Sequence, residues 1–113
     1  MTSTTQPDYF GKYENLSFKR DENGILEVQM HTNGDSLIFT GKTHREFPDA
    51  FYDISRDRDN RVVILTGAGD SWMAQIDFAS LGDVTNPREW DKTFWEGRKV
   101  LQNLLDIEVP VIS

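Results

Sequence analysis

The sequence predicts an α/β fold, a hairpin followed by parallel strands, on three observations. Two strand-like runs, Tyr13–Lys19 and Ile25–Met30, flank an Asn23-Gly24 step, which is a strong hairpin signal. The run Arg61-Val62-Val63-Ile64-Leu65-Thr66 is apolar without alternation, the pattern of a strand covered on both faces. A second apolar run, Val109-Pro110-Val111-Ile112, follows a long helical segment. Strand, helix, strand in that order implies a parallel sheet with a right-handed crossover.

The elements follow in chain order. Residues 1–12 are polar, with Thr, Ser, Gln, Pro and Gly, and are expected to form a flexible N-terminal tail. After the hairpin, His31–Asp35 reads as a turn and Ser36-Leu37-Ile38-Phe39 as a short apolar run. Thr43-His44-Arg45-Glu46 has the form of a capping box, and Phe47, Ala50, Phe51 and Ile54 recur at helical spacing. Pro48 would remove an early helix hydrogen bond, so the regular helix is expected to start a few residues after Thr43, with His44 in the turn before it. Gly67–Asp70 breaks the buried strand. Asn86-Pro87-Arg88-Glu89 is a helix start, with Asn at the N-cap, Pro at N1 and Glu at N3. Trp90, Phe94, Leu101, Leu104 and Leu105 form the apolar stripe of that helix, with Ile107 near its end. A final parallel strand needs cover on both faces, so residues 13–113 are expected to be the N-terminal part of one larger domain, truncated at Ser113.

Composition narrows the function. The chain has 113 residues, room for one domain at most, and 12 basic against 19 acidic residues give a net charge of −7. Such a surface cannot release the counterions that nucleic-acid binding needs. With no cysteine, disulfides, Cys-ligated zinc and thiol catalysis are excluded, and two histidines leave little for an all-His metal site. No apolar run approaches the roughly 20 residues of a membrane span. The start lacks the basic end and apolar stretch of a signal peptide. A cytoplasmic protein without a membrane partner is expected.

The segment Thr66-Gly67-Ala68-Gly69-Asp70-Ser71-Trp72 lacks the third glycine of a dinucleotide fingerprint and the Lys-Ser/Thr of a P-loop, so it reads as a turn rather than a phosphate site. It leads into Met73-Ala74-Gln75-Ile76-Asp77-Phe78, just past the end of a strand, where open α/β sheets hold ligands. A small residue such as Ala74 would let a substrate approach the backbone, with its N–H aimed at a developing oxyanion. A buried connecting turn explains the same composition. His44, beside a helix start, is either a capping or surface histidine or a neutral imidazole able to donate a hydrogen bond to a carbonyl or accept a proton. His31 is assigned no role. Glu46 has a capping explanation, and Asp77 could cap the turn that follows it. Neither carboxylate has a visible partner, which argues against a two-carboxylate hydrolase. Most of the aromatics Phe39, Phe47, Phe51, Trp72, Phe78, Trp90, Phe94 and Trp95 are expected in the core, some lining an apolar pocket.

In order and spacing, these landmarks resemble the crotonase (enoyl-CoA hydratase/isomerase) superfamily over about residues 13–113. The hairpin, the helix after Ser36-Leu37, the strand Val62–Gly67, the loop Trp72–Phe78, the helix to Leu105 and the strand Val109–Ile112 all correspond. The resemblance implies a crotonase-like ββα spiral. Lys12-Tyr13-Glu14-Asn15, Ser36–Thr40, Thr43-His44, Ile76-Asp77-Phe78 and Asn103–Ile112 are similar to 6-oxocamphor hydrolase and related β-diketone hydrolases. Those enzymes cleave a carbon–carbon bond between two carbonyls by a retro-Claisen reaction without coenzyme A or metal. The resemblance makes Ala74 (half of the oxyanion hole) and His44 catalytic, and sets Phe39, Trp72, Met73, Gln75 and Ile76 along the substrate. It implies no cofactor, a small-molecule diketone substrate and a homotrimer or dimer of trimers. The other oxyanion-hole glycine, the activating base and the distal acid are expected beyond Ser113.

Three departures sharpen the expectation. Gln75 replaces a family glycine and would crowd a thioester. His31–Ser36 lacks the Lys or Arg and the Asn-Ala-Leu that accompany coenzyme A binding. Phe39 stands where 6-oxocamphor hydrolase has tryptophan, removing an N–H donor. The alternatives are a coenzyme A-dependent hydratase or isomerase, and an inactive crotonase-fold protein that only assembles.

Overall fold

In the structure, a computed structural model describing residues 6–113, strands β1 (Leu16–Arg20) and β2 (Ile25–Met30) pair antiparallel, Leu16 opposite Met30 and Arg20 opposite Leu26. Their turn is held by Asp21, whose Oδ1 accepts from the N–H of Asn23 at 2.9 Å and of Ile25 at 3.0 Å. Within it only Gly24, at φ 82°, is left-handed. A type I′ hairpin turn needs two such residues. That geometry appears instead at the second Asn-Gly step, Asn33 (φ 52°) and Gly34 (φ 83°), where Thr32 and Asp35 exchange backbone bonds of 3.0 and 3.1 Å.

Strand β4 (Val62–Gly67) lies parallel to β2, and β6 (Val111–Ile112) parallel to β4, giving the order β1-β2-β4-β6. Side chains alternate across a strand, so buried Leu26, Val28, Val63 and Leu65 share one face. Helix α1 (Gly41–Arg56) contributes Phe47, Ala50, Phe51 and Ile54 to the same core cluster. Val62, Ile64 and Thr66 on the other face are half-buried, so the expected double cover of this strand is present on one face only among the described residues. An unbroken apolar run records that a strand tolerates burial on both sides; it does not supply the second cover.

The expected tail does not reach Lys12. Residues 1–5 lie outside the described residues, but Asp8–Gly11 form a 3₁₀ turn. Tyr9 is buried edge-on against Phe10 and Phe18, at 5.0 and 5.3 Å between ring centres. Two tyrosines, Tyr9 and Tyr13, give this polar stretch apolar area to bury and hydroxyls that reach Asp57 and Asp53.

Helix α1 starts earlier than expected. Thr40 is the N-cap, accepting from the Thr43 N–H, while the Thr43 hydroxyl accepts from the Thr40 N–H at 2.8 Å. The reciprocal box is real, with Thr rather than Glu at N3. Glu46 therefore does not cap; one of its oxygens accepts weakly from the Glu14 N–H at 3.4 Å and the other is buried without a partner. Pro48 lies inside the helix, where it deprives the His44 carbonyl of its usual partner.

Helix α2 (Pro87–Leu105) begins as predicted, with Asn86 Oδ1 accepting from the Arg88 N–H at 3.0 Å. Its orientation is the surprise. The face toward α1 carries Glu96, Gly97, Val100, Asn103 and Leu104, whereas Trp90, Phe94, Leu101 and Leu105 are between 52 and 83% exposed. Of the expected stripe only Leu104 meets the core. Phe47 and Phe51 are buried as expected, but Trp72, Phe78 and Trp95 join the exposed aromatics. Periodicity reveals that a helix has two faces; it does not say which one meets its neighbour. No helix among the described residues is long and apolar enough to cross a membrane.

A buried ionic network ties α1's end to the hairpin. Arg20 Nη1 donates to Asp57 Oδ2 at 2.6 Å and to Asn60 Oδ1 at 2.8 Å, and Tyr9 Oη donates to Asp57 at 2.8 Å. Burial pushes the Asp57 carboxyl up, but the Arg20 and Tyr9 hydrogen bonds prevail and hold it below the usual carboxylate range. A depressed folded-state pKa contributes stability above the unfolded value, and that contribution is lost as pH falls through the folded one. Asp57→Asn is expected to cost roughly 2–4 kcal/mol at neutral pH, leaving Arg20 buried without its counter-charge. Thermal melts of the intact protein should also show a shallower loss of stability below about pH 4 in the variant than in the parent.

Candidate active site

The candidate site lies where a second small sheet meets the start of α1. Strand β3 (Leu37–Phe39) pairs parallel with β5 (Met73–Ile76): Leu37 with Met73, Ile38 with Gln75, Phe39 with Ile76. The register slips between the first two pairs, and Ala74 is the residue left without a partner. A bulge leaves its extra residue out of the ladder, and such a residue can offer its N–H elsewhere. Small Ala74 thus stands at an irregular point of an exposed strand, where an oxyanion donor could serve.

Short hydrogen bonds anchor the loop before β5. Ser36 Oγ donates to the Ala68 carbonyl at 3.0 Å and accepts from the Ser71 N–H at 3.1 Å. Gly69, at φ 67°, passes so close to Asp35 and Ser36 that a side chain there would collide with them. Trp72 lies over Gly67 at the C-terminal end of β4; a Cβ on that glycine would sit 2.6 Å from the indole Cδ1. The segment after β5 returns to the helix. The Asp77 N–H donates to the Phe39 carbonyl at 2.8 Å, and Phe78–Leu81 form a 3₁₀ turn. Asp77 caps that turn through its main chain, without a side-chain bond. Ser80 Oγ accepts from the first helical N–H, that of Gly41, at 2.9 Å.

His44 is in the first turn of α1, not in a turn before it, and its N–H donates to the Thr40 carbonyl at 3.0 Å. Its ring meets Phe39 edge-to-face at 5.9 Å, and Phe39 in turn meets Phe47 at 6.1 Å. His44 Nδ1 lies 2.9 Å from Glu96 Oε1, with both side chains largely buried, at 14 and 12% exposed. Four residues on, the Pro48 carbonyl accepts from Asn103 Nδ2 at 2.8 Å, so the α1–α2 contact carries two polar ties.

The structure brings His44 and Phe39 into contact, and Ala74 lies as the unpaired residue of β5, the strand that pairs with the one carrying Phe39. Met73, Gln75 and Ile76 are exposed along β5, and Trp72 is half-exposed at its start. His31 Nδ1 accepts from the Gly34 N–H at 3.0 Å, which closes a turn. Glu96 was absent from the expected site. It shares a helical face with Val100, Asn103 and Leu104, but the apolar stripe of the sequence points to the other face, so no local signal marks it.

Solved structures of enoyl-CoA hydratase/isomerases share this fold. One from Mycobacterium paratuberculosis has a TM-score of 0.72 over 87% of the chain at 21% identity, covering 39% of that structure. An enoyl-CoA hydratase/carnithine racemase from Magnetospirillum magneticum has a TM-score of 0.71 over 92% of the chain at 26% identity, covering 39% of its own length. The chain belongs to the crotonase superfamily. Within it, the chain is 88% identical, with a TM-score of 0.92 over 94% of its residues, to a beta-diketone hydrolase from the cyanobacterium Anabaena sp. PCC 7120, solved with (S)-3-oxocyclohexyl acetic acid bound. It spans 42% of that protein. The human mitochondrial Delta(3,5)-Delta(2,4)-dienoyl-CoA isomerase is 31% identical over 83 residues, which are 73% of this chain and 25% of the isomerase. No family model matches the chain.

The contact at the helix start can be tested. Replacing glycine by alanine in a helix ordinarily gains about 1 kcal/mol. At Gly41 the new methyl would run into the Ser80 carbonyl, so Gly41→Ala is expected to destabilise the intact protein by roughly 1–3 kcal/mol. Gly97→Ala, whose methyl meets only His44 Nε2 at 3.6 Å, should be neutral or stabilising in the same urea titration.

Proposed function

We propose that this chain is part of an enzyme that hydrolyses the carbon–carbon bond between the two carbonyls of a β-diketone, without coenzyme A or metal. The observation that carries the reading is the 88% identity to a beta-diketone hydrolase across 94% of the chain. The ligand of that protein has one ketone and one carboxylic acid. Those are the two groups left when water adds to one carbonyl of a cyclic 1,3-diketone and the bond between the carbonyls' shared carbon and the attacked carbon breaks. The electron pair of that bond becomes an enolate, which takes up the proton water released.

Each part of the site has a place in this reaction. The Ala74 N–H stabilises the negative oxygen that forms on attack, as half of an oxyanion hole. His44 faces the same substrate, with Phe39, Trp72, Met73, Gln75 and Ile76 forming the wall that holds its carbon skeleton. Gln75, in place of the family glycine, and the absence of Lys and Arg from His31–Ser36 disfavour a coenzyme A thioester. The intact protein assembles as a trimer or dimer of trimers. The coenzyme A alternative draws on the dienoyl-CoA isomerase relatives, and one assay separates the two.

Purified intact protein should convert a cyclic β-diketone to a keto acid, followed by loss of the diketone's ultraviolet absorbance. Calorimetry should show no saturable micromolar binding of acetyl-CoA. His44→Ala should lower diketone turnover at least about tenfold, or about 1.4 kcal/mol of transition-state stabilisation, in a protein that still folds. Isomerisation of an enoyl-CoA with no action on diketones would transfer the assignment to the coenzyme A branch. Activity on neither would leave an assembly protein.

A further inference from the structure

We infer that Glu96 is a positioning residue of this site, holding His44 in the tautomer that keeps its proton on Nδ1 and leaves Nε2 bare. The inference rests on the diketone-hydrolase reading for its reaction, but its geometry stands independently. A carboxylate accepts hydrogen bonds and cannot donate them when ionised. With Glu96 Oε1 2.9 Å from Nδ1, the proton of a neutral imidazole belongs on Nδ1, which is the tautomer free histidine favours less. Nε2 then carries a lone pair. His44 accepts a hydrogen bond from water rather than donating one to the substrate carbonyl, and the carbonyl's charge is left to the Ala74 N–H.

Two further features support this arrangement. The ring is clamped in orientation, its edge against Phe39 at 5.9 Å and its Nδ1 side tied to the partner helix. Gly97, next to Glu96, lets α2 approach the other edge of the ring: a Cβ at that position would sit 3.6 Å from Nε2, in ordinary van der Waals contact. Both members are largely buried, so each would be costly to leave without the other. A polar pair shut into a helix contact next to an irregular strand is more than packing requires, since an apolar pair would fill the same space at less desolvation cost.

The experiment combines a tautomer readout with kinetics on the intact protein. Long-range ¹H–¹⁵N spectra of His44, at a pH where it is neutral, are expected to show the proton on Nδ1. Glu96→Ala should cut kcat on a cyclic β-diketone at least tenfold while KM changes less than about threefold. Glu96→Gln keeps a carbonyl that can accept from Nδ1–H, so it should retain the tautomer and recover part of kcat. Should Glu96→Ala fail to fold, Glu96→Gln decides alone: a retained tautomer with lowered kcat upholds the inference. A proton on Nε2 in the parent overturns it, as does parental kcat in folded Glu96→Ala. If the parent cleaves no β-diketone, the functional reading fails and the spectrum alone judges the pair.

Discussion

The close approach of Gly41 to the Ser80 carbonyl is the contact on which the site depends. It seats the N-terminus of α1 on the turn that follows β5, with Ser80 Oγ taking up the first free helical N–H. One turn deeper, the same helix carries His44, and two turns deeper it begins to fill the core with Phe47, Ala50, Phe51 and Ile54. The position of His44 is therefore tied to the packing of the core. Helix-borne groups are held more firmly than loop-borne ones, and the Thr40–Thr43 box fixes where that helix starts. The strand β5 joins the arrangement from the other side, through the Asp77 N–H on the Phe39 carbonyl.

Helix α2 completes the site by turning what looks like its wrong face inward. A helix whose Trp90, Phe94, Leu101 and Leu105 are exposed while Glu96 and Asn103 face a neighbour inverts the usual amphipathic arrangement. Its polar inward residues are not orphans: Glu96 meets His44 and Asn103 meets the Pro48 carbonyl. Such paired polar contacts fix register between helices more sharply than apolar packing, which tolerates sliding. The aromatic side carries Trp90, Phe94 and Trp95 at more than half exposure among the described residues.

The fold was largely legible in the residues. The hairpin, helix α2, the run Val62–Thr66 and the strand after Ile107 stand where patterning puts them, and α1 differs only in starting earlier, at Gly41. Legibility failed where two local signals share one appearance. Two Asn-Gly steps look alike, yet only Asn33-Gly34 adopts paired positive φ. Thr43 to Glu46 imitates a capping box, but the box that forms is one turn earlier, because a Thr at N3 can return the same hydrogen bond as Glu. The polar tail hid Tyr9, whose hydroxyl finds its partners, Asp57 and Asn60, about fifty residues away.

What the sequence determined by itself is the order of the hairpin, the two helices and the strands of the main sheet, since these follow from periodicity, caps and breakers within a dozen residues of one another; Met73–Ile76, which reads as a loop, is a strand because β3 pairs with it. The resemblance to the crotonase superfamily, carried by motifs in their order, set Ala74, His44 and Phe39 in a candidate site. Only the tertiary structure decided that β3 and β5 slip by one residue, leaving Ala74 unpaired, and that Glu96 stands beside His44. Register across a ladder and the facing side of a helix are properties of two segments at once. Fifty-two residues separate His44 from Glu96, and no local pattern in either helix encodes the distance between them.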